Sequence, residues 1–220
     1  DDGSGSFADI AEGIYYAANN GAKVINMSLG INARYAVTSD PLVDPALDYA
    51  DSKGVTVVCA AGNDGWRKNV SYPAIYPTTI AVGATRYDNT RASYSNYGKG
   101  LDIMAPGGDT AVDQNGDGYG DGVLQETYYD GDFGYYFFQG TSMASPHVAA
   151  VAAMLYAAGV ASTPDTVKAT MTSNALDLGA AGYDSTYGWG LVQAFTALNS
   201  GGGTPTCTDA ARVERGKRLH

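Results

Sequence analysis

The string Gly140-Thr141-Ser142-Met143-Ala144-Ser145-Pro146-His147-Val148-Ala149-Ala150 sets a hydroxyl at the head of an Ala-rich run. A serine there lies where the first N–H groups of a helix lack partners and the positive end of the dipole favours negative charge. That setting suits acyl transfer, with an oxygen nucleophile beside donors for a developing oxyanion. Gly140 leaves room for a second backbone to approach. A plain helix cap at Thr141 or Ser142 also explains a hydroxyl, but not the whole string.

A second cluster carries different chemistry. Asp113-Gln114-Asn115-Gly116-Asp117-Gly118-Tyr119-Gly120-Asp121 puts oxygen side chains at loop positions 1, 3, 5 and 9, with Gly at 6. This is the D-x-N-x-D-G pattern of calcium loops, so Asp113, Asn115, Asp117, Tyr119 and Asp121 are the expected ligands of a structural calcium ion. Leu124 stands where an EF-hand has Glu, which argues against that motif and leaves Glu126 or Asp130 as the further carboxylate. A polar turn rich in Asp and Gly is the competing reading. The tyrosines at 119, 128, 129, 135 and 136 are expected to pack this insert rather than bind anything.

The elements that position these residues follow from periodicity. Residues 7–20 carry Phe7, Ile10, Ala11, Ile14 and Ala17 at helical spacing before Gly21, and 41–53 repeat the pattern before Gly54. Val24–Leu29, Val55–Ala61, Thr79–Ala84 and Leu101–Ala105 are short apolar runs closed by Gly or Pro-Gly, as buried parallel strands are. After a long irregular section, helices are expected at 141–158, 164–172 and 190–198. Right-handed crossovers then predict an α/β fold: an open, mostly parallel sheet with helices on both faces and ligands at the carboxyl ends of the strands.

With 220 residues, 45% of them hydrophobic, one core suffices. A net charge of −10 disfavours nucleic acid, whose binding relies on clustered Lys and Arg. No apolar run approaches the ~20 residues of a membrane span, so no membrane partner is expected. Cys59 reads as a buried thiol and Cys207 as an exposed one, with no disulfide between them. The start at Asp1, with no Met and no leader, reads as a processed or truncated product, and 201–220 as a flexible linker or tail.

The nucleophile string resembles that of the subtilisin-like serine proteases. Two further strings agree in order and content. Val24-Ile25-Asn26-Met27-Ser28-Leu29-Gly30 is similar to the family's substrate-edge segment, which implies that Ser28, Leu29 and Gly30 pair with an extended peptide. Val57-Val58-Cys59-Ala60-Ala61-Gly62-Asn63 resembles the segment whose Asn donates to the oxyanion, a role that falls on Asn63 although a turn Asn is the simpler reading of that residue alone. Ala60, Ala61 and Gly62 are small enough to floor a specificity pocket.

The resemblance covers residues 1–200, with an Asp/Gly-rich insert at about 109–136, and implies a secreted endopeptidase acting on polypeptides through Ser142. It also implies a partial fold lacking the N-terminal strands, because the family's catalytic Asp and His have no counterpart here. Of the two histidines, His147 lies about 140° around the helix from Ser142 and reads as a packed helix residue. Without a base to take its proton, serine is a poor nucleophile. The expectation is therefore an N-terminal complementing fragment, or self-association through the strand edge left bare at Val24–Leu29. A catalytically incompetent, peptide-binding or calcium-stabilised remnant is the alternative.

Overall fold

The structure, a computed structural model, describes residues 5–200. The 201–220 tail, Cys207 and His220 lie outside the described residues. Four parallel strands, β1 (Val24–Met27), β2 (Thr56–Ala60), β3 (Thr79–Thr85) and β4 (Ile103–Pro106), form a sheet in sequential order. Their side chains alternate between two cores. Val57, Cys59, Ala81 and Met104 face a cluster with Ala11 and Ile14 of α1 (Phe7–Asn19) and Val43, Ala46, Leu47 and Ala50 of α2 (Val43–Ser52). Val58, Ile80, Val82 and Ile103 face the opposite cluster, against α3 (Thr141–Ala157), α4 (Pro164–Ser173) and α5 (Ala194–Asn199). The expected two-faced α/β sheet is observed.

Local chemistry accounts for the element ends. Ser6 caps α1 in a reciprocal box with Asp9, and Thr163 does the same for α4 with Thr166. The helix expected over 190–198 begins only at Ala194, because Leu191 bridges both Met104 and Leu176 and its backbone is already committed. β1 is also less enclosed than a buried strand: it stands at the sheet edge, with Asn26, Ser28 and Leu29 exposed. The reason is its neighbourhood, since among the described residues it pairs with β2 alone.

The section read as irregular contains an antiparallel hairpin, β5 (Val123–Tyr129) and β6 (Asp132–Phe138). Asp130 and Gly131, both at positive φ, form its two-residue turn, and Asp-Gly between runs rich in aromatics is the sequence signal for such a turn. Tyr128, Phe133, Tyr135 and Phe137 stand exposed on one face, with Tyr128 against Phe133 at 5.0 Å. Phe137 stacks on Tyr119 at 5.8 Å, so the rings on this face meet other rings at the surface instead of filling a core. No helix among the described residues is long and apolar enough to cross a membrane. Cys59 is a buried free thiol, its ionisation pushed up by burial.

Candidate active site

The site forms where α3 starts, at the carboxyl ends of β1 and β2. The helix is rich in Ala and buries Ala144, Val148, Val151, Ala152 and Leu155 against the sheet, which fixes its N-terminus beside both strand ends. Pro146 lies inside the helix and has no N–H, so the Ser142 carbonyl loses its partner four residues on. Ser28 supplies the replacement. Its Oγ donates to Ser142 O at 2.8 Å, while Asn26 donates to Ser28 Oγ at 3.0 Å and accepts from Ser145 Oγ at 2.6 Å. Asn26 of β1 and Ser28 just beyond it are thereby tied to Ser142 and Ser145 of α3, and the Ser142 hydroxyl points back to Ser28 O at 3.4 Å.

Asn63 is oriented from the same helix end. Its Oδ1 accepts from Thr141 N at 2.8 Å and from Thr141 Oγ1 at 2.9 Å. A backbone N–H can only donate, so the acceptor oxygen must face Thr141 and the Nδ2 group must face away. Among the described residues neither Asn63 Nδ2 nor Ser142 N–H has a protein acceptor. A Cβ built on Gly140 would lie 3.6 Å from Ser142 N and 3.7 Å from Asn63 Nδ2, so the two free donors flank one open volume that the glycine leaves clear. Two converging, pre-set N–H donors beside a hydroxyl are what an oxyanion of acyl transfer requires.

The loop carrying Asn63 is held by a residue that spacing did not single out. Asn96 is fully buried; its Oδ1 accepts from Asp64 N at 3.0 Å and Trp66 N at 2.8 Å. Its Nδ2 donates to Ala61 O, Asp64 Oδ2 and Ser71 Oγ at 3.1–3.2 Å. Gly62, at φ 100°, passes so close that a Cβ would run into Ser71 Oγ and Asn96 Nδ2. No short-range pattern marks Asn96, since its partners are roughly thirty residues away in the chain.

Ser28, Leu29, Gly30, Ala60, Gly62, Asn63 and Ser142 line one cleft of about 360 Å³, together with Asp64, which sequence reading passed over. Ala61 lies behind that wall, packed in the core. A larger, apolar cavity of about 740 Å³ adjoins it at Leu29 and Gly30, walled by Phe7, Ile10, Ile31 and Tyr72. His147 is exposed rather than packed, because the helix turns it away from the sheet, and its Nδ1 rests 2.8 Å from Met143 O. Among the described residues no imidazole reaches Ser142.

The Asp-rich loop folds on itself. Asp113 Oδ1 accepts from Gly116 N and Asp117 N, Asp113 Oδ2 from Gly118 N, and Asp117 Oδ1 from Tyr119 N. Asn115 is bonded to Asp117 through both its amide atoms. Asp121 Oδ2 accepts from Gln114 N, but Asp121 Oδ1 is buried with no partner. Among the described residues no three His, Cys, Asp or Glu side chains gather into a ligand set.

Known proteins resemble this chain in sequence and in fold. The subtilase family profile matches residues 1–190. The chain is 39% identical over 196 residues to subtilisin BL of Lederbergia lenta, covering 89% of this chain and 64% of that protein. It is 40% identical over 195 residues to alkaline elastase YaB of Bacillus sp. (strain YaB), covering 89% and 45%. A lanthipeptide protease of solved structure superposes with a TM-score of 0.78 at 28% identity, over 91% of this chain and 69% of that one. A protease of Pseudoalteromonas arctica PAMC 21717 superposes equally well, at 0.78 and 33% identity, over 90% and 60%. The chain thus spans about half to two thirds of the curated relatives it matches.

Proposed function

This chain belongs to the subtilase family, and from that premise we propose that it is the nucleophile-bearing, C-terminal portion of a serine endopeptidase catalytic domain. One observation carries the reading: Thr141 locks the Asn63 amide with its N–H₂ free, beside the free Ser142 N–H. Ser142 Oγ attacks the scissile carbonyl carbon while a base takes the hydroxyl proton. Asn63 Nδ2 and Ser142 N–H hold the negative oxygen. The proton passes to the departing amine, leaving an acyl-enzyme that water hydrolyses by the same steps.

The peptide lies extended along Ser28, Leu29 and Gly30. The 740 Å³ cavity behind Phe7 and Ile10 takes an apolar side chain, and the cleft floored by Ala60 and Gly62 takes the residue whose carbonyl is attacked. The Asp–His pair that manages the proton comes from sequence outside these 220 residues, as an N-terminal complementing segment that also covers the β1 edge; self-association there is the lesser form of the same idea. The orientation of His147 toward Met143 supports this division of labour. The family and the acidic surface support a secreted enzyme.

Calcium belongs to the same reading. Asp113, Asn115, Asp117, Tyr119 and Asp121 supply the hard oxygen ligands it prefers, and the buried, unpartnered Asp121 Oδ1 is a group that a cation would satisfy. The ion would order the insert that leads into β5, and it takes no part in the bond-breaking step.

A fluorophosphonate probe tests the proposal. Labelling mapped to Ser142, slow for the chain alone, accelerated by an added N-terminal fragment and abolished by Ser142→Ala, is the expected result. No labelling under either condition favours the peptide-binding remnant.

A further inference from the structure

We propose that the aromatic, acidic face of the β5–β6 hairpin is a docking surface for this chain's own basic segment, Arg212-Val213-Glu214-Arg215-Gly216-Lys217-Arg218. The hairpin register sets Leu124, Glu126 and Tyr128 opposite Phe137, Tyr135 and Phe133, so these six side chains share one face, and all are exposed. Glu126 lies in the middle of that face, opposite Tyr135, which is 71% exposed. A carboxylate among aromatic side chains suits a guanidinium: the planar cation stacks on a ring while its N–H fork pairs with the carboxylate. Leu124 and Phe137 add apolar surface for the methylene stem.

Charge and reach select the occupant. Between Lys99 and Lys168 the chain holds no Lys or Arg, while the hairpin adds Glu126, Asp130 and Asp132. Among the described residues Glu126 enters neither ion pair, and the cations that lie over rings are at Trp66, Tyr49 and Tyr97, none of them in the hairpin. Four of the chain's 13 Lys and Arg fall in 212–218, against the single acid Glu214, so this segment is the complement the face lacks. A second copy of the hairpin is the wrong one, since a twofold contact sets acid against acid. The covalent path is short. Val192 N donates to Met104 O of β4, the strand that leads into the insert, and the bridge between Asp109 and Asp121 returns the foot of β5 to the exit of that strand. α5 then ends at Asn199, and residues 201–220 span up to about 65 Å when extended. At the ~1 mM effective concentration that a flexible tether provides, even a weak contact is populated. The proposal is independent of the chemistry assigned to Ser142.

A spin label tests it. Cys59 is buried, so a nitroxide maleimide attaches to the 220-residue chain at Cys207, and the relaxation it causes at backbone amides maps where the segment dwells. Most of the signal at residues 124–137 should be lost, with α2 unaffected as the internal reference. Raising salt from about 0.05 to about 0.5 M should restore the hairpin signals. Replacing the four cations together, Arg212→Gln, Arg215→Gln, Lys217→Gln and Arg218→Gln, keeps the tether length and gives the level of undirected contact. Hairpin broadening should fall to that level, and Glu126→Lys, a change at an exposed position, should bring it there as well. Broadening no greater than in the four-Gln variant, or indifferent to salt, would overturn the proposal. A mixture of labelled, unenriched chain with unlabelled ¹⁵N chain should show no broadening; broadening as strong as in the single sample would overturn the assignment to the chain's own segment.

Discussion

Two polar loops of this protein are built from the same residue types and stand on opposite foundations. The loop at 61–66 is organised by a buried Asn96 from a distant part of the chain, whose side chain reaches Ala61, Asp64, Trp66 and Ser71. The loop at 113–121 is organised by its own neighbours: Asp113 bonds to residues three to five positions on. Its side-chain tether to the body is Gln114, which donates to Asp88 at 2.6 Å. The difference separates a loop whose shape is set by the core from one whose shape is set by its own side chains. The first holds donors ready for chemistry, and the second is where the proposed calcium binding would act.

The strongest test of the contrast is truncation of the two anchors. Asn96→Ala leaves buried donors and acceptors unpaired around Ala61, Asp64 and Ser71, and should cost about 3–4 kcal/mol in urea unfolding. Asp113→Ala, measured without calcium, should cost less than about 1 kcal/mol because its partners are exposed. Equal losses would erase the distinction. Calcium sharpens it from the other side. At a hundredfold excess over its dissociation constant, the ion should add about 2.7 kcal/mol to the native chain and raise the thermal midpoint; in Asp113→Ala and Asp121→Ala the rise should vanish. A midpoint indifferent to calcium would leave 113–121 an ordinary turn.

A smaller effect is expected where β1 meets α3. Ser28→Ala removes the donor that replaces the bond lost at Pro146, leaving Ser142 O unpaired, and should cost about 1 kcal/mol in the same unfolding measurement. The smallest is electrostatic. Asp88 has its carboxyl held down at about 2, first by the Thr90 hydroxyl, then by the Thr90 N–H and Gln114. A depressed carboxyl stabilises the fold above its ordinary 3.8, and that contribution disappears as pH falls through about 2. Thr90→Ala should move the Asp88 titration up toward 3.8 in an NMR experiment. An unmoved Asp88 would mean that Gln114 alone sets it, and that the insert is tied to the body more firmly than its other bonds imply.

Much of the fold was legible because its signals are local. The caps of α1 and α4, the apolar runs of β1 to β4 and the Ala-rich α3 each depend on residues a few positions apart. The β5–β6 hairpin was missed, its stretch being read as irregular, because the Asp130-Gly131 turn signal lay hidden among Asp and Gly residues of calcium-like spacing. The extent of α5 was not legible either, because Leu191 is claimed by Met104 and Leu176, which no local window contains.

By itself the sequence determined the parallel α/β class and the serine at the head of an Ala-rich helix, since short spacing suffices for both, while the amide expected to face that serine followed from the resemblance of Val57–Asn63 to the family's segment. Only the tertiary structure decided which way the Asn63 amide points, that Asn96 holds its loop, that Ser28 answers the proline in α3, and that Asp64 lines the cleft. Those facts depend on groups that are far apart in the chain and meet only when the sheet and its covering helices exclude water between them.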